Sequence, residues 1–114
     1  MTMMNVGLTD IATLINNKYD YVAVGTGGAP AAEANTLANE ALRVQSTNTL
    51  ETTNVTNDTS VQTATFNIAA PAALTNSAVF DIDTAGVILC GQGFSAINVI
   101  NGDTFIAVWK EVVS

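Results

Sequence analysis

Few side chains in this sequence are equipped for chemistry, and they lie apart. The chain has no histidine, which removes Ser-His-Asp and Cys-His catalysis and the commonest ligand of transition metals. Cys90 is the single cysteine, so no internal disulfide can form. Within the apolar run Val87-Ile-Leu-Cys90 it reads as a small buried residue with no activating base. Asp81 and Asp83 are two apart, which on a strand puts two carboxylates on one face at roughly the separation of a glycosidase pair. The stretch Asp81-Ile-Asp-Thr-Ala-Gly86 also opens like a calcium loop, but Ala85 takes the fifth position and Gln92 the twelfth, where a bidentate carboxylate is needed. A hairpin turn accounts for the same residues without an ion. Gly25-Thr-Gly-Gly-Ala-Pro30 has the glycines of a phosphate cradle, yet it lacks the Gly-Lys-Ser/Thr of a P-loop and the spacing of a dinucleotide fingerprint. The expectation is a protein that is not an enzyme and holds no metal or cofactor.

The elements that position these residues are strands. At 114 residues the chain fits one domain, residues 1–114, large enough to bury about 65% of its unfolded surface without disulfides or metal. Charged residues make up 11%, less than half the usual share. Polarity comes instead from 16 Thr and 12 Asn, and Thr favours the pleated surface of a strand while Asn favours turns. Ten carboxylates face three cations, Lys18, Arg43 and Lys110, for a net charge of -7. Nucleic-acid affinity is built from clustered Lys and Arg, so a nucleic-acid partner is not expected. The start, Met1-Thr-Met-Met-Asn5, has no basic leader, and no stretch approaches the ~20 apolar residues that span a bilayer. The reading is a protein made in a cytoplasm with no membrane partner.

Taken along the chain, Gly7 to Asn16 reads as a short helix, with Leu8, Ile11, Leu14 and Ile15 at helical spacing, forming a lead over residues 1–17. A helix of this length needs a surface for its apolar face, either its own sheet or a neighbouring subunit. Residues 19–113 then read as a sandwich. Tyr19 to Gly25 is a strand running into the wide loop of Gly25, Thr26, Gly27, Gly28, Ala29 and Pro30. One or two helical turns are expected around Glu33 to Ala38, and a strand over Ala41 to Thr47. Asn48–Thr56 and Val61–Ile68 form a hairpin around Asn57-Asp-Thr-Ser60. Ala69 to Leu74 is an extended connector in which Pro71 excludes a central ladder position. Ala78–Ile82, Val87–Cys90 and Phe105–Val113 complete the strands. Val87–Cys90 and Phe105–Trp109 are apolar on both faces, which predicts central strands. Phe94 to Ile100 is expected to arch between them. The architecture predicted is an antiparallel β-sandwich of about seven strands with a short N-terminal helix.

Three blocks carry a family resemblance: Gly7-Leu-Thr-Asp-Ile-Ala12, Tyr21-Val-Ala-Val-Gly-Thr-Gly-Gly-Ala-Pro-Ala-Ala32, and Phe94-Ser-Ala-Ile-Asn-Val-Ile-Asn-Gly-Asp-Thr104 leading into a strand with Trp109. In this order they resemble small structural proteins of tailed phages. Where such proteins tend to carry a Glu-Ala-Gly-Leu-Phe type strand and turn, this chain has Val79-Phe-Asp-Ile-Asp-Thr-Ala-Gly86. The resemblance implies a virion component, foremost a decoration or cement protein that binds the major capsid protein as a homo-oligomer, a trimer being favoured. The residues expected to make subunit or capsid contacts are those outside the predicted sandwich core, Leu8, Ile11, Leu14 and Ile15 and the loop from Gly25 to Ala32. The alternative is a receptor- or glycan-binding module associated with a head or tail fibre, for which Tyr19 and Tyr21 would be the aromatic platforms.

Overall fold

A computed structural model describes residues 2–114. One helix, α1 (Asn5–Lys18), precedes seven strands: β1 (Tyr21–Gly25), β2 (Glu40–Gln45), β3 (Thr47–Glu51), β4 (Thr59–Asn67), β5 (Ala72–Phe80), β6 (Ile88–Val99) and β7 (Thr104–Val112). They form two antiparallel sheets, one ordered β2-β1-β5-β6 and the other β3-β4-β7. The fold is an all-β sandwich with a helical lead.

Alternation along the strands builds the core. From β1, Val22 and Val24 point between the sheets, and Ala64 and Phe66 of β4 meet them with Leu74, Val79 and Val99. Phe66 lies 6.1 Å from Phe105, ring centre to ring centre. The opposite face of the larger sheet is not bare. Ala23, Ala78 and Phe80 point outward there, and Leu37 of the long connection between β1 and β2 covers them in a second, smaller cluster.

That connection holds turns but no helix over Glu33 to Ala38, contrary to the expectation from its Ala and Leu content. Its conformation is set by the sheet beneath it. Asn76 donates to the carbonyls of Gly28 and Ala38, and the Thr75 hydroxyl donates to Gly27. Tertiary hydrogen bonds of this kind override a weak helical preference.

Three further expectations are corrected. The run from Phe94 is no arch, because β6 continues through it to Val99. Leu74 and Ala72 belong to β5, with Pro71 just outside its first residue. Within one chain β6 and β7 are edge strands rather than central ones. Their second apolar face looks outward, with Ile106 60% and Val108 54% exposed.

Candidate functional site

Asp81, Asp58 and Cys90 each take part in holding the fold. Asp81 and Asp83 lie beyond the end of β5 in the turn to β6, not on a strand face. The Asp81 carboxylate accepts the Val87 amide at 2.7 Å, and Gly86 takes a left-handed φ of 79° where a side chain would collide with Ile82 and Asp81. Arg43 fastens this turn from β2. It pairs with both Glu40 oxygens at 2.9 and 2.7 Å, donates to the carbonyls of Ile82 and Ala85 at 2.8 Å each, and lies 3.6 Å over the Phe80 ring. Among the described residues no three carboxylate or thiol side chains gather where a metal could be held.

Asp58 is fully enclosed and organises the β3–β4 turn. Its carboxylate accepts the amides of Thr53, Asn54 and Val55 at 2.9, 2.9 and 3.0 Å, and the Thr59 hydroxyl at 2.9 Å. These donors, the Val55 amide foremost, outweigh the opposing effect of burial and hold the carboxyl well below its ordinary range. Cys90 borders the main core. Burial first, and the Glu111 carboxylate second, push its thiol up to about 12, so it stays protonated and unreactive.

Glu111 is a residue that the sequence reading missed. It sits on β7 opposite Ser60 of β4, two residues after Trp109 and therefore on the same inward face. Both of its carboxylate oxygens, and Oε1 of Gln62, are buried without a hydrogen-bond partner. Burial raises its pKa, and Ser60 and Gln62 beside it offset this only in part. The alternation of Trp109 and Glu111 was the available signal.

The residues singled out for contacts divide. On α1, Leu8 and Ala12 are buried and Ile15 is half-buried, whereas Ile11 and Leu14 are 36% and 61% exposed. The helix packs on β3 and β4. Its C-terminal end is pinned there, with Asn16 donating to Thr49 O and Ser60 Oγ, and Asn48 donating to Asn16 O and Tyr19 O. In the loop, Gly25 and Gly27 are close-packed, since a side chain on either would strike Asn76, Ala38 or Asn39. Ala29 and Pro30 rest against Gly93 and Gly91 of β6. Thr26, Gly28 and Ala29 remain exposed.

The chain matches no known protein family model and no curated protein. What can be said of its role rests on these surfaces. No helix among the described residues is long and apolar enough to cross a membrane. A concavity of about 570 Å³ lies between the edges of β6 and β7, with Phe94, Phe105 and Trp109 in its walls. Across it the Trp109 Nε1–H donates to Ser77 Oγ at 3.0 Å, joining the two sheets where no strand does. Beside these rings its lining includes Ser77, Gln92, Ser95 and Lys110.

Proposed function

We propose that this chain is a structural protein of a tailed-phage virion, a decoration or cement protein that binds the major capsid protein and stabilises the shell as a homotrimer. The observation that carries the reading is that α1 has two apolar faces and its own sheet uses one. Leu8, Ala12 and Ile15 are turned to the sandwich, while Ile11 and Leu14, and Met4 just before the helix, stay exposed. Positions 4, 11 and 14, with Gly7 between them, fall at the three-and-four spacing of a seam that takes a partner. An apolar stripe left exposed on a pinned helix is an interaction surface.

The loop adds to this. Thr26, Gly28 and Ala29 are presented on a backbone already fixed by Asn76 and Thr75, so docking costs little ordering entropy. The three sequence blocks that resemble phage structural proteins contain Leu8, Ile11 and Ala12 of α1 and this loop. The fibre-associated alternative gains less, because Tyr19 packs against the main core and Tyr21 against the smaller cluster, leaving neither as a free platform.

The test is add-back to capsids stripped of the protein. Wild type should bind saturably, and Ile11→Lys with Leu14→Lys should lower occupancy at least about tenfold, the loss expected for removing some 1.4 kcal/mol or more of contact. Because both side chains are exposed, the fold should be kept. Unchanged occupancy would take α1 out of the docking role, and a saturable glycan-array signal without capsid binding would turn the reading to the fibre.

A further inference from the structure

The two flanks of the sandwich are built differently. On one, β2 passes into β3 through Ser46 alone, so the chain itself closes the gap between the sheets. Those two edges are short, 6 and 5 residues, and carry Glu40, Arg43 and Glu51. On the other flank β6 and β7 end their sheets with 12 and 9 residues, and the cleft lies open between them.

Sheets protect a free edge with charges, prolines, bulges or brevity, because a row of unpaired N–H and C=O groups otherwise recruits another strand. β7 is barely protected. It pairs with β4 in unbroken register over nine residue pairs, contains no proline, and has two charged residues. Lys110 is held by Glu51 at 2.8 Å, and the Glu111 carboxylate is buried. Its outer row holds Ile106, Val108 and Val112, 45–60% exposed, with Lys110 between the last two. Its inner row, Phe105, Ala107 and Trp109, is half-buried at the cleft. Such a strand, apolar on both faces and free along one edge, belongs between neighbours.

We infer that the open flank is where a second copy of this chain docks, edge to edge, with β7 as the pairing strand. The occupant follows from charge and symmetry. Copies bearing a net -7 each can approach closely only where carboxylates are absent or neutralised. Glu111, buried, is the one carboxylate on either strand; Asp103, in the turn that joins them, accepts the Ile100 amide, and Lys110 is paired with Glu51. The outer row of Ile106, Val108 and Val112, interrupted by the Lys110–Glu51 pair, can face a second copy of itself. β7 can meet β7 across a two-fold axis, or β6 of the next copy in a closed ring. This inference stands on strand edges and does not depend on the capsid reading.

The full chain tests it. Size-exclusion chromatography with light scattering, paired with amide hydrogen exchange over a concentration series, should give a mass of two or three copies. Alternate amides from Ile106 to Val112 should be slow to exchange and should lose that protection on dilution. Ile106→Lys with Val108→Lys, two side chains exposed in the single chain, should keep the far-ultraviolet spectrum and give a monomer with fast exchange at those amides. A wild-type monomer with fast-exchanging alternate β7 amides would overturn the inference. So would a folded double variant of unchanged mass, or a Leu14→Lys variant that dissociates the oligomer while the β7 variant does not.

Discussion

Glu111 shows most clearly what one residue does in this molecule. Its carboxyl is favoured in the neutral form by burial, so the folded chain binds a proton there more tightly than the unfolded chain does. The sign follows from linkage: stability is unaffected at low pH, where both states are protonated, and falls as pH rises from the ordinary value of 4.5 through the raised one. Glu111→Gln keeps the shape and is neutral at every pH. Thermal melts from pH 4 upward should therefore show the variant more stable at neutral pH and with a flatter profile, whereas an unchanged slope would mean that Glu111 is ionised and satisfied. Asp58 has the opposite sense. Its lowered pKa makes its contribution full above the ordinary carboxylate range and lost as pH falls below it. The Asx-type role of Asp58 was only half legible, because Asn57-Asp-Thr-Ser60 marks a turn but not which carboxylate would gather three amides. Glu111 could have been placed by counting from Trp109, but a lone Glu near the end of a strand is usually solvated, and that expectation hid it.

At the scale of elements, the turn between β5 and β6 is held by Arg43 as well as by its own Asp81. Arg43→Ala would leave the carbonyls of Ile82 and Ala85 without their donor and uncover the Phe80 ring, costing about 2 kcal/mol. Urea unfolding should detect this as a lower midpoint with an unchanged slope; a midpoint equal to wild type would show that the turn closes on Asp81 and Gly86 without it. Most strands were legible because alternation and turn chemistry are local: Ala64, Phe66 and Ile68 against Thr63, Thr65 and Asn67 gave β4 its inward face directly. What failed was set at a distance. The Ala-rich stretch from Glu33 to Ala38 looked helical until Asn76, some forty residues on, took its carbonyl. Val87–Cys90 and Phe105–Trp109 carried the pattern of central strands and are edges in the single chain. Sequence patterning reports whether a face will be covered, and it cannot say whether the cover comes from the same chain. α1 is the same case, since its two possible roles, lid and partner helix, correspond to its two faces.

The whole molecule is a sandwich closed on one flank by its own connection, capped on the outer face of one sheet by a long loop, and left apolar at α1 and along β7. Asp58 and Asp81 hold turns, and Cys90 and Glu111 face the interior. In a chain with 11% charged residues, surfaces of this kind fit a part whose working state is an assembly. The phage reading adds an address to that physics through three sequence blocks, and the address is the central claim. The most direct test is to purify intact particles by density gradient and count this protein against the major capsid protein by quantitative mass spectrometry. The account predicts a fixed, saturated ratio that survives repeated purification. The protein left wholly in the soluble lysate, with none on the particles, would contradict it.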